Sequence, residues 1–275
     1  MAEAPSIDPM HQFTIHKIVD IPPFHVGGLT FDMSITNSVA SMIAGAVILM
    51  AFFFFTAKGK IVPDRGQAVA ESLYGIVDNT LVTPIIGHRG RQYIPYLFTL
   101  FCVILVLNLM GVLLAVGNLG GLTLTFTVTS QLAVTATLAV LTFFSIVILG
   151  FIKQGPGFVK IFWVSGMGVV GGALMVLIEM MSYFVRPITL AMRLFGNMLG
   201  GHVVMSLFGS FVVALGLLAL KGGLASLAFV PSALSFAMIV GLTGLELVVA
   251  VLQAFVFTAL ATVYLNEVVN FGHGH

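Results

Sequence analysis

GALMVLIEMMSYFVRPITLAMRLFGNMLGGHVVMSLFGSFVVALGLLAL, residues 172–220, is the stretch on which the fold of this chain turns. As one helix at 1.5 Å per residue it would run ~73 Å. An upright crossing of a ~30 Å hydrocarbon core needs less than half of that. Either the stretch breaks near Arg186-Pro187 into two crossings, or a single long helix lies steeply tilted. Proline is tolerated in membrane helices, so the residues leave both solutions open. Arg193 is the only fixed charge between Pro187 and Leu220. Arginine cannot shed its proton in a protein, and a charge at mid-bilayer costs from ~2.5–3.5 to ~10–17 kcal/mol, depending on the scale. Water, a carboxylate or another subunit must therefore meet the Arg193 guanidinium.

Composition agrees with a membrane setting. Only 8% of the 275 residues are charged and 59% are hydrophobic, whereas a soluble domain carries about 25% charge. Thirty glycines suit helices packed closely in lipid. A net charge of +1 without a basic run gives no support to nucleic-acid binding. The single cysteine, Cys102, excludes a disulfide framework within the chain. Residues 1–34 are polar and mixed, with neither the pattern of a cleaved signal nor that of a transit peptide. They read as an extramembrane arm. His11, His16 and His25 do not share a helix face, so a metal site there has little support.

Residues 35–57 are free of charge and long enough to cross as a first membrane helix. Residues 66–81 differ: Ala68, Ala70, Leu73, Ile76, Val77 and Leu81 recur at helical spacing beside Glu71 and Asp78, as in an amphipathic interfacial helix. No charge appears from Gln92 to Ile152. The glycine-rich break Gly117–Gly121 divides that run into a hairpin over 93–152, with spans near Tyr93–Val116 and Thr127–Ile152. Trp163 reads as an interfacial anchor. A long helix pair over 165–270 closes the chain, its second member opening at Pro231. The fold class is thus all-α and polytopic, with five membrane helices if residues 172–220 stay undivided. Lys58, Lys60, Arg65, Arg89, Arg91, Lys153 and Lys160 fall on one side, against Lys17 and Lys221 on the other. That bias puts the seven in the cytoplasm and the N-terminus outside. The undivided form also ends the chain inside.

On one helix Glu179, Ser182, Arg186, Arg193 and Asn197 return near a single azimuth and form a stripe. The i±3 and i±4 neighbours of Arg193 are Thr189, Leu190, Gly196 and Asn197, none of them acidic. His202 lies roughly 180° around the helix from Arg193 and ~13 Å along it. Glu246 and Gln253, seven apart, share a face of the last helix. Two polar tracks result, one through Glu179 and Ser182 toward Arg193, the other past His202 and Glu246. Buried groups that titrate or relay hydrogen bonds suit proton movement. The plainer alternative is that Glu246 pairs with Arg193 or His202 only to lock two helices.

Arg193-Leu194-Phe195-Gly196-Asn197-Met198, together with Leu252-Gln253-Ala254-Phe255-Val256-Phe257, resembles subunit a of the F-type ATP synthase. The resemblance extends from about residue 30 to the end. It implies five membrane helices plus the amphipathic one, with the last two long and steeply tilted around a ring of c subunits. It also implies that Arg193 faces this c-ring and separates two half-channels, so its missing anion is the carboxylate of a c subunit. His202 and Glu246 would line the outer half-channel, and Glu179 the cytoplasmic one. Asn197 and Gln253 match polar positions near the arginine. Some members place the acid and the histidine of the outer pair the other way round. The implied partners are the c-ring, the peripheral-stalk b subunits, the rest of the complex and the bilayer; no cofactor or metal is implied. The location would be a bacterial inner membrane.

Other readings fit less well. An independent antiporter would carry inverted repeats, and none is convincing. An intramembrane metalloprotease would need HExxH, which is missing. A passive scaffold leaves Arg193 and Glu246 together unexplained. There is no GxxxxGK[ST] loop, so the chain is not expected to bind nucleotide or to be an enzyme by itself.

Overall fold

The structure, a computed structural model, describes residues 17–20, 24–26, 29–31, 34–116, 128–155, 168–220 and 223–270. The expectations placed on His11, His16, the Gly117–Gly121 break, Lys160, Trp163 and Lys221 lie outside these residues. Seven α-helices are described: α1 (Asn37–Thr56), α2 (Arg65–Gly75), α3 (Thr83–Ile85), α4 (Ile94–Val116), α5 (Leu132–Gln154), α6 (Gly168–Ala219) and α7 (Phe229–Val269). Five described segments are long and apolar enough to cross a membrane: Asn37–Thr56, His88–Leu113, Leu132–Gln154, Leu174–Ala219 and Ser226–Val269. This is an all-α polytopic membrane protein, the class that its composition predicts.

Residues 172–219 lie within a single 52-residue helix, α6, which passes through Pro187 without a break. Proline removes one backbone donor, so the Tyr183 carbonyl loses its usual partner four residues on. One unmade bond is a small loss for a helix held by its neighbours. The segment 66–81, expected as an interfacial helix, departs more from a simple reading. After α2 the chain widens into a π-helical stretch, Ile76–Val82, before α3. The Thr83 N–H there reaches back five residues to the Asp78 carbonyl. Pro84 explains the widening, because its ring would crowd the Thr80 carbonyl of a regular turn.

Asp64 stands at the N-cap of α2 without capping it through its side chain. Its carboxylate instead takes a 2.8 Å bond from Lys60 Nζ. That bond, with the lysine charge, holds the Asp64 carboxyl below the usual range. The pair is exposed, so its effect on stability is slight. Short antiparallel strands precede α1: β1 (Lys17–Val19) pairs with β4 (Ile35–Thr36), and β2 (Phe24–Val26) with β3 (Leu29–Phe31). Two- and three-residue strands are too short for alternation to register in sequence.

The chain divides into two compact units, one drawn from Met1–Ala46, Val106–Gln131 and Phe195–Leu252, the other from Val47–Leu105, Leu132–Leu194 and Gln253–His275. In the first, Val112, Met198 and Ala250 are buried together with Leu109 against them. Asn108, fully buried, donates from Nδ2 to the Ala250 carbonyl at 3.1 Å. Gly45 permits a close approach here, since a Cβ on it would sit 2.9 Å from Leu107 Cδ2. In the second unit, Ala254, Thr258, Ala261, Thr262 and Leu265 form a fully buried stripe on α7. Small residues at i, i+3 and i+4 let another backbone come near.

Replacing Asn108 by Ala removes the bond to Ala250 and leaves a void. We expect a loss of about 1–2 kcal/mol. Unfolding of the purified chain in mixed micelles measures it, and an unchanged midpoint would show that the amide contributes nothing.

Candidate functional site

In the first unit, α6 and α7 bring His202 and Glu246 together. His202 is 3% exposed and Glu246 5%, so both are removed from bulk water. His202 Nε2 lies 3.4 Å from Glu246 Oε1. The contact lacks hydrogen-bond geometry, and neither Glu246 oxygen has a hydrogen-bond partner among the described residues. A carboxyl and an imidazole, both buried, thus stand 3.4 Å apart. Gly201 makes the approach possible: a Cβ there would stand 2.7 Å from Glu246 Oε1.

Arg186 organises the second unit. Its guanidinium pairs with Glu267 on α7 through Nη1 and Oε2, and Glu179 Oε1 lies 3.8 Å from Nη2. Two rings flank it, with centroids 5.3 Å away for Tyr183 and 4.8 Å for Tyr264. Cation–π attraction adds about 0.5–2 kcal/mol at such sites. In sequence, Tyr183 stands three residues before Arg186 and Tyr264 three before Glu267, so each helix offers a charge and a ring on one face.

Arg193, also in this unit, is the opposite case. It is exposed and makes no hydrogen bond or ion pair with any described residue, although its field reaches Tyr264. Of its neighbours one turn away on α6, Thr189, Gly196 and Asn197 are exposed and Leu190 is buried. Gln253 is buried. Ser182, and Asn197 in the first unit, are exposed.

Of the seven residues singled out from the sequence, the structure joins His202 to Glu246. It ties Glu179 to Arg186 and not directly to Arg193. The sequence reading missed Glu267. A signal existed, because Glu267 follows Gln253 by 14 residues and Glu246 by 21, which returns within about 60° of both on a helix. Among the described residues no cluster of His, Cys, Asp and Glu could hold a metal ion.

Five apolar spans define a multi-pass membrane protein, and its two longest helices carry a buried His–Glu pair, an arginine paired with carboxylates and another with no anion among the described residues. The comparisons with known proteins are more specific. The sequence profile described as ATP synthase A chain matches residues 38–266. ATP synthase subunit a of Mesorhizobium japonicum is 41% identical over 98% of this chain and 99% of its own. The Nitrobacter hamburgensis subunit a is 40% identical over 97% and 100%, and that of Rhizobium johnstonii 42% over 98% and 100%. The chain belongs to the ATP synthase subunit a family. It is a subunit of the membrane sector of an F-type ATP synthase, contributes to ion transport in ATP synthesis, and works in a complex with other subunits of that enzyme.

Proposed function

We propose that this chain is the stationary proton path of the synthase, itself non-catalytic, with Arg193 as the fixed cation between two offset half-channels. The observation that carries the reading is the contrast between the two arginines. Arg186 has two carboxylates and two rings about it, whereas Arg193 has no anion among the described residues and points outward. In lipid such a guanidinium requires an anion from outside the chain. The carboxylate of a c-ring subunit supplies it.

A proton enters past His202 and Glu246 and neutralises a c carboxylate, which can then turn into lipid without the cost of a bare charge. After most of a turn the same group meets the track of Glu179 and Ser182 and releases its proton, and Arg193 holds the resulting anion. Asn197 and Gln253 flank that exchange with neutral polar groups. A fixed positive charge between the tracks also repels protons that would pass directly from one to the other. The membrane potential contributes ~2.3 kcal/mol per charge per 100 mV, so several protons combine for each ATP.

In this reading α6 and α7 lie steeply tilted against the c-ring, and the peripheral-stalk b subunits hold the chain still. Lys58, Lys60, Arg65, Arg89, Arg91 and Lys153 face the cytoplasm of a bacterial inner membrane, with the N-terminus outside and the C-terminus inside. The orientation of α6 can be tested by cross-linking. Asn197→Cys should form a disulfide with a cysteine placed one turn from the c carboxylate in the assembled complex, and Thr137→Cys on α5 should not. Equal yields from the two positions would reject the proposed face.

A further inference from the structure

We propose that a recess at the ends of three helices binds the phosphate headgroup of an anionic phospholipid. His88, Arg89, Gln92, Lys153 and Val269 line a space of about 440 Å³, within the ~300–1,000 Å³ typical of small-ligand sites. The 3₁₀ turn His88–Tyr93 that leads into α4, the last turn of α5 and the final residue of α7 meet here. All three belong to the second unit.

Among the described residues, the lining holds two fixed cations and an imidazole but no carboxylate. Arg89 and Lys153 make no ion pair with a described residue. The nearest acid along α7, Glu267, is already engaged by Arg186. Lys153 Nζ stands 5.0 Å from the centroid of the Tyr93 ring, which steadies the ammonium at the mouth of the recess. The chemistry selects a phosphate, with Arg89 offering a planar fork of donors, Lys153 a point charge and Gln92 an amide.

Depth selects the source of that phosphate. The recess closes apolar spans at the level where lipid headgroups lie, and basic pockets between membrane helices are suited to anionic headgroups. The exposed Ile152, directly before Lys153, gives the acyl chains apolar surface. This inference stands on the membrane fold and not on the proton path, so either can fail alone.

The test uses the intact complex in phosphatidylcholine nanodiscs doped with phosphatidylglycerol bearing a photoactivatable headgroup, and maps labelled peptides by mass spectrometry. Labelling is expected within 88–93 and 149–155. Unlabelled phosphatidylglycerol should compete, whereas phosphatidylcholine and inorganic phosphate should not. Each basic residue near a charged membrane contributes a factor of about five in binding. Arg89→Gln or Lys153→Gln should therefore weaken labelling about fivefold, and the pair about twenty-five-fold. Lys153→Arg should restore most of it, and Lys58→Gln should change nothing. Native gels identify any variant that fails to assemble, and the remaining single variant then decides. Three results would overturn the assignment: labelling indifferent to these substitutions, equal competition by inorganic phosphate, or recovery of these peptides cross-linked only to another subunit.

Discussion

Arg193→Ala should stop proton-driven ATP synthesis in inverted membrane vesicles, with a fall of at least about a hundredfold, or ~2.7 kcal/mol of coupling. The side chain makes no hydrogen bond or ion pair with a described residue, so its loss should not weaken the fold. That separates this variant from an ordinary destabilising one. Under the proposed function, two effects combine in it. A c carboxylate would arrive without its counter-charge, and the barrier between the two half-channels would lose its fixed repulsion, so protons could leak without turning the ring. Arg193→Lys keeps a charge but not the planar fork, and should remain strongly impaired. Undiminished synthesis by the alanine variant, in vesicles that contain the complete complex, would end the assignment of Arg193.

The second large effect is expected at the His202–Glu246 pair. Glu246→Ala or His202→Ala alone should cut ATP-driven proton pumping at least tenfold, because each leaves a buried group without the neighbour 3.4 Å away. Exchange of the two, His202→Glu with Glu246→His, retains one imidazole and one carboxyl at the same depth and should recover more activity than either single exchange. Recovery will be incomplete. Gly201 clears space for a carboxylate at 2.7 Å from a would-be Cβ, and an imidazole is larger. Quenching of a pH-sensitive dye in inverted vesicles reads the result. A double variant no better than the poorer single one would mean that the two groups act independently.

The glycine at 201 could be read in sequence as a place of close approach, but not what approaches it. The same holds for Arg186. Its stripe with Glu179 and Arg193 follows from helical periodicity, whereas its strongest partner, Glu267, lies 81 residues further on. Which residues of α7 oppose which residues of α6 depends on how two long helices pack, and no local spacing encodes that. The π-helical stretch over Ile76–Val82 was hidden for a different reason. Apolar residues at i, i+3 and i+4 describe a regular helix, and one extra residue per turn shifts the pattern too little to be seen in so short a segment.

By itself the sequence determined that the chain is an all-helical membrane protein, and that a permanent cation lies where lipid would not tolerate it alone. Both follow from the cost of bare polar groups in hydrocarbon, which is a property of residue types and needs no coordinates. Only the tertiary structure decided that residues 172–219 stay one helix and which of two arginines is neutralised from within. Pro187 removes a single bond that packing can spare. Arg186 finds Glu267 through the meeting of α6 with α7, while Arg193, two turns further along the same helix, meets no acid in the described chain and remains available to another.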